Sequence, residues 1–273
     1  MRELSRRQIL TNIAVTGTGL FLPRHLFAAE DMGNNLIGAS DICVLTPEVT
    51  EGPYYLVEDL VRRDITEGKP GVPMTMRMQI VDASCRPLPN ARVDLWHCDA
   101  QGIYSSFGGS DEGETSTKGE TFLRGTQFAD KSGIVEFETI YPGWYRGRTT
   151  HIHYKVFLDE TNILTGQIFF PDALSSYLYE NAPDYAHDGS RDTINASDGI
   201  AAQATRASYA AITEGEAAYL AQLIVGVSPD AISQDVGMPG GGPRPGEMGE
   251  MGGTAPEQEA FSVKDLLPGN SSD

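Results

Sequence analysis

Between Met74 and Phe170 the chain keeps returning to one pattern: short stretches of alternating apolar and polar residues, cut by Gly, Pro and Asp. A period of two puts successive side chains on opposite faces of an extended strand, whereas a helix needs a period near 3.6. "MTMRMQIV" sets Met74, Met76, Met78 and Ile80 against Thr75, Arg77, Gln79 and Val81. "ASCRPLPN" reads as a turn, and "ARVDLWHC" as a second strand with Ala91, Val93 and Leu95 on one face. "DKSG" at 130–133 turns the chain into "IVEFETI", "YPG" at 141–143 turns it again, and "HIHYKVFL" and "TGQIFF" are two further strands. Strands at this spacing predict an all-β chain folded as an antiparallel β-sandwich or barrel. The 30 Gly and 16 Pro among 273 residues favour such a turn-rich fold over a helical bundle.

The flanks read differently. "MRELSRRQILTNIAVTGTGLFLPRHLFAAE" has a basic start and then an apolar stretch too short and too polar for a comfortable membrane span. Ser5-Arg6-Arg7-Gln8-Ile9-Leu10 resembles a twin-arginine export signal, so residues 1–29 are expected to direct export to the periplasm or beyond. Residues 30–73 form a lead-in without clear periodicity, 74–230 the sandwich domain, and 231–273 a tail. That tail contains "MPGGGPRPGEMGEMGGTAPE", a low-complexity run expected to lack order. Within the domain, "DALSSYLYE" suggests a short helix capped by Asp172. The Ala-rich "AAQATRASYAAITEGEAAYLAQL" has helical propensity, while "YLAQLIVGV" also suits a closing strand.

A net charge of −18 repels phosphate backbones, which argues against nucleic-acid binding, and it disfavours strongly anionic small molecules. Cys43, Cys85 and Cys98 have no zinc-type spacing. Export permits a disulfide. The extended residues between Cys85 and Cys98 span roughly 25 Å, too far for a bridge unless the chain folds back. Cys43 is therefore the expected partner of one or the other, and the odd cysteine stays buried or reactive.

One stretch asks for chemistry. "PGWYRGRTTHIHYKVF" at 142–157 places Tyr145, Arg148, His151 and His153 within sixteen residues. On a strand, His151 and His153 share a face at roughly 6–7 Å spacing, followed by Lys155 and Phe157, while Ile152, Tyr154, Val156 and Leu158 form the apolar face. Two imidazoles so placed can converge on one ion, or can be surface histidines on an edge strand. The nearby oxygen donors are phenols: Tyr145 across a turn, and Tyr104 just beyond a strand end. A phenol becomes a good ligand only as the phenolate, and a trivalent ion such as Fe(III) favours that form far more than Zn(II) or Mg(II) does.

"TEGPYY", "LPNARVDLWHCDAQGIYS", "FLRGTQFADKSGIVEFETIYPGWYRGRTTHIHYKVF" and "ILTGQIFF" together resemble the intradiol ring-cleavage dioxygenases, the family of protocatechuate and catechol dioxygenases. The resemblance runs from about Thr46 to Phe170, with weaker echoes in "RDTINASDGI" at 191–200. It implies a β-sandwich of the intradiol type with short helices and long loops, forming a catalytic domain. It implies a non-haem Fe(III) held by Tyr104, Tyr145, His151 and His153, with Tyr145 leaving when a catechol binds and Tyr104 staying. The implied reaction is cleavage of a catechol-type ring between its two hydroxyls by O2, giving a cis,cis-muconate. Arg148 is implied to stabilise developing negative charge, Gln167 to make a supporting hydrogen bond, and Pro53 and Tyr54 to wall the substrate pocket. His97 is expected to be structural. The absence of the family's helical dimerisation segment leaves the number of subunits open. A non-catalytic transthyretin-like binding module, and a zinc or copper hydrolase-like site, are the competing readings.

Overall fold

The computed structural model describes residues 43–57, 60–107, 116–186 and 189–234. The export signal at 1–29, the first part of the lead-in and the low-complexity run lie outside the described residues.

Among the described residues, eight strands form two four-stranded sheets. In chain order they are β1 (Pro73–Asp82), β2 (Arg92–Trp96), β3 (Arg124–Phe128), β4 (Ile134–Ile140), β5 (His151–Leu158), β6 (Thr161–Phe169), β7 (Ala211–Glu214) and β8 (Tyr219–Val227). One sheet runs β4-β1-β8-β7 and the other β3-β2-β5-β6. The pairs are antiparallel except β1 with β8, which is parallel because β8 returns after a long connection rather than a hairpin. Helix α1 (Asp172–Asn181) and two short 3₁₀ turns lie in that connection.

The inward faces follow the alternation. Met74, Met76, Met78 and Ile80 of β1, Val93 and Leu95 of β2, and Ile152, Tyr154 and Val156 of β5 are all buried in one core between the sheets. Gly166 of β6 sits opposite Tyr154 in the register, and a Cβ there would lie 2.4 Å from the tyrosine ring. The missing side chain makes room for that ring.

β5 departs from the usual half-buried strand. Every residue from His151 to Phe157 is buried, on both faces. The inner face meets the core. The outer face, carrying His151, His153 and Lys155, is covered by the lead-in around residues 49–55. Val49 N donates to Thr165 O (3.1 Å), Gln167 Nε2 donates to Thr50 O (2.9 Å), and Glu51 pairs with Lys155. The lead-in is thus part of the sandwich wall, though nothing in its hydrophobic pattern announces it.

One strand was not expected, and two local expectations change. Residues 124–128, "RGTQF", form β3 despite weak alternation. One edge of β3 pairs with β2 and the other with the lead-in, where Arg62 N donates to Thr126 O (3.1 Å) and Thr126 N to Leu60 O (2.8 Å). The Ala-rich run forms no α-helix: it supplies a 3₁₀ turn, β7 and β8, the last being the closing strand that "YLAQLIVGV" also suited, and Ala221, Leu223 and Val225 of β8 enter the core. Burial of those alternate residues outweighs alanine's helical preference. Asp172 begins α1 as its first residue, after Pro171 at the cap position, and does not cap it. Its carboxylate instead pairs with Arg191 (3.2 Å) and accepts from Asn195 N.

Cys43 and Cys85 form a disulfide, with Cα atoms 5.4 Å apart, and Cys98 is a buried thiol. The bridge fastens Cys43, the first described residue of the lead-in, to the turn after β1.

Candidate metal centre

β5 aims both histidines at one point: His151 Nε2 and His153 Nε2 are 3.0 Å apart. Two loops bring the phenols there. The turn before β5 places Tyr145 Oη 3.1 Å from His151 Nε2, and the segment after β2 places Tyr104 Oη 3.5 Å from the same nitrogen. These loops press together at Gly102, whose φ of +79° suits glycine and where a Cβ would lie 2.3 Å from Trp144 O.

The tautomer of His151 can be read from its partners. His151 Nδ1 lies 2.6 Å from Thr149 O, a carbonyl that only accepts, so Nδ1 carries the proton and Nε2 presents a lone pair. Facing that single lone pair within 3.5 Å are Tyr104 Oη, Tyr145 Oη, His153 Nε2 and Arg148 Nη1. One lone pair cannot serve four groups. The opposite nitrogen of His153, Nδ1, is buried without a hydrogen-bond partner. A cation among the two imidazole nitrogens and two phenol oxygens resolves the crowding. The observed 3.0–3.5 Å separations bracket the about 3.3 Å between ligands of a four-coordinate ion bound at about 2.0 Å. Among the described residues no trio of His, Cys, Asp and Glu gathers, so the oxygen donors of this cluster are phenols.

Burial sets the protonation of the donors. It pushes both imidazoles well below the usual histidine range, and for His151 the Arg148 guanidinium adds to the effect. It pushes the Tyr104 and Tyr145 hydroxyls up. Without a cation all four donors are neutral. Only a highly charged ion reverses the preference of the phenols.

Aromatic rings enclose the donors. Trp96 stacks on His153, with centroids 5.1 Å apart. Tyr54 lies face to face on Tyr104, and Phe107 and Tyr145 meet Tyr54 edge-on. Pro53 sits half-buried in the turn between Gly52 and Tyr54, and it is Tyr54 that reaches the donor set. Arg124 Nη1 holds Tyr54 O (2.6 Å), and its Nε and Nη2 hold Ser105 Oγ (2.7 Å) and Ser105 O (2.8 Å), tying the Tyr54 and Tyr104 segments together.

Arg148 is fastened on three sides. Nη2 donates to Gln167 Oε1 (2.5 Å), Nε donates to Asp198 Oδ2 (2.9 Å), and Nη1 faces the donors. His97 is buried, with Nδ1 at Cys98 O (2.8 Å) and Nε2 at Thr139 Oγ1 (2.7 Å), so both nitrogens are occupied away from the cluster. Trp96, Arg124 and Asp198 had no signal in residue spacing. Each reaches the site through pairing of distant segments.

Residues 47–182 match the Dioxygenase_C family, described as dioxygenase. An intradiol ring-cleavage dioxygenase from Tetranychus urticae is 34% identical, with a TM-score of 0.65 over 71% of this chain and 98% of that one. This chain belongs to the intradiol ring-cleavage dioxygenase family. Among curated relatives, the catechol 1,2-dioxygenase of Pseudomonas sp. (strain EST1001) is 28% identical over 172 residues, 54% of this chain and 55% of that one. The protocatechuate 3,4-dioxygenase beta chain of Burkholderia cepacia is 29% identical over 155 residues, 50% of this chain and 65% of that one. The chain spans about half the length of the first of these relatives.

Proposed function

We propose that this protein is an exported non-haem Fe(III) dioxygenase that cleaves catechol-type rings between the two hydroxyls with O2, yielding cis,cis-muconates. The observation that carries the reading is the convergence of two phenols and two imidazoles on the single lone pair of His151 Nε2, a donor set suited to a trivalent ion. Family membership and the naming of relatives as catechol and protocatechuate dioxygenases support the same reaction class.

Tyr104, Tyr145, His151 and His153 would hold the iron. When bound there, Fe(III) supplies the charge that keeps phenolates deprotonated and draws a chelating catechol into an electron-rich form that reacts with O2.

The rest falls to the chain. Tyr104 is held by ring stacking on Tyr54, and its carbonyl accepts from Thr117 Oγ1 (2.7 Å), so it stays in place. Tyr145 is only partly covered and is followed by exposed Arg146 and Gly147, so it is the phenol that can swing aside. Its Oη then accepts a proton from an incoming catechol hydroxyl. Arg148 Nη1 lies beside the donors, where it stabilises negative charge building on the substrate, and Gln167 keeps it there. Tyr54 and Phe107, both partly buried beside the donors, form the apolar wall that receives a flat ring, and Trp96 backs His153 from within. The net charge of −18 favours neutral catechols over carboxylate-bearing ones. The twin-arginine-like start supports a site of action in the periplasm or outside the cell.

Purified protein tests this directly. It should be red-brown from tyrosinate-to-iron charge transfer, contain iron by elemental analysis, and consume one O2 per catechol with muconate as product. A colourless, iron-free protein would support a binding module, and a yellow semialdehyde would mean cleavage outside the hydroxyl pair.

A further inference from the structure

We propose that Asp198 is a positioning residue for the reaction, acting through Arg148 and Thr149; the proposal rests on the function assigned above. Asp198 lies fifty residues downstream of Arg148, in the segment after α1. Its side chain is 1% exposed, and both carboxylate oxygens are saturated. Oδ2 accepts from Arg148 Nε (2.9 Å) and from Thr149 N (2.8 Å). Oδ1 accepts from Ile200 N (2.8 Å) and Ala201 N (3.0 Å).

The two oxygens divide the work. Oδ1 builds the local turn that holds Asp198 in place. Oδ2 reaches the site in two ways. First, a guanidinium is a rigid plane, so fixing Nε on Asp198 and Nη2 on Gln167 sets its orientation and leaves Nη1 directed at His151 Nε2. Second, Thr149 is held by its N–H on Asp198, and its carbonyl accepts from His151 Nδ1. That bond sets the tautomer that offers Nε2 to the donor cluster. The carboxylate also supplies the negative charge that lets a largely buried cation sit beside a site for a second cation.

Asp198→Asn separates these roles. It keeps an oxygen for the Oδ1 turn but places an NH2 group against two donors, Arg148 Nε and Thr149 N. The expected result is full iron content, an unchanged visible band, an anaerobic catechol affinity within about threefold of wild type, and a kcat reduced about ten- to a hundredfold. In an Arg148→Ala background the same substitution should lower kcat several-fold less than it does in wild type, because only the route through Thr149 remains. Equal losses in both backgrounds, an unchanged kcat in the single variant, or loss of iron together with activity would each overturn the proposal. If Asp198→Asn does not fold, Asp198→Glu serves instead. It keeps the charge and displaces the carboxylate from Arg148 Nε and Thr149 N, and kcat should again fall about tenfold or more with iron retained; an unchanged kcat would overturn the proposal. Failure of the functional reading looks different: wild-type protein would take up no oxygen with any catechol.

Discussion

Tyr54 stacks on Tyr104 with ring centroids 4.1 Å apart and planes 15° from parallel. The contact joins the lead-in to the segment after β2, so one wall of the pocket is also the support for one donor. Tyr54→Ala should therefore weaken catechol binding about two- to tenfold, the size of a lost aromatic pair, while iron is retained. Anaerobic titration of the visible band with catechol measures this; an unchanged affinity would remove Tyr54 from the pocket wall.

The two phenols should not be equivalent. Tyr104 is locked by stacking and by Thr117, whereas Tyr145 lies on a partly exposed turn. Tyr104→Phe is expected to cut iron affinity by about a hundredfold or more and to bleach the protein. Tyr145→Phe should keep most of the iron and lose turnover instead, since the proton acceptor is gone. Elemental analysis beside oxygen uptake distinguishes the two, and full iron in Tyr104→Phe would contradict the assignment.

Gly102 lets the two phenol-bearing loops touch. Its φ of +79° disfavours any side chain, and a Cβ would meet Trp144 O at 2.3 Å. Gly102→Ala should cost about 2–4 kcal/mol of stability and lower iron occupancy by separating Tyr104 from Tyr145. Urea unfolding of the metal-free protein gives the first quantity, and iron stoichiometry the second.

Acid should destabilise the protein through His97. Burial pushes its imidazole down to about 4 from an ordinary 6.5. The folded state thus binds fewer protons than the unfolded state between those values. Stability is unaffected by His97 above pH 6.5 and falls as pH drops from 6.5 towards 4, by about 3 kcal/mol in total. His97→Gln, which can still bond Thr139, should flatten that part of the stability profile relative to wild type. Parallel profiles would show that His97 does not carry the effect.

The strands were legible where their own sequence alternates, as in β1, β2 and β4. β5 is buried on both faces, but its inner face is the one expected, with Ile152, Tyr154 and Val156 in the core. β3 was not legible, because "RGTQF" owes its extension to partners on both edges rather than to its own pattern. In the Ala-rich run the helical propensity lost and the alternative reading of "YLAQLIVGV" as a closing strand held, because propensity is worth tenths of a kcal/mol per residue, less than burying Ala221, Leu223 and Val225 in a sheet. Asp172 looked like a cap, but pairing with Arg191 claimed its carboxylate.

His151 and His153 are two residues apart on one strand, so their shared face follows from the pleat, and their motif with Tyr104, Tyr145 and Arg148 resembles that of the intradiol dioxygenases. That much is carried by order along the chain. The convergence of the donors on one lone pair, the stacking of Tyr54, the enclosure by Trp96 and the anchoring of Arg148 by Asp198 join segments about fifty to sixty residues apart. Such contacts depend on how two sheets and their covering loops pack. Packing is a property of shape in three dimensions, which local spacing does not encode, so only the tertiary structure decided them.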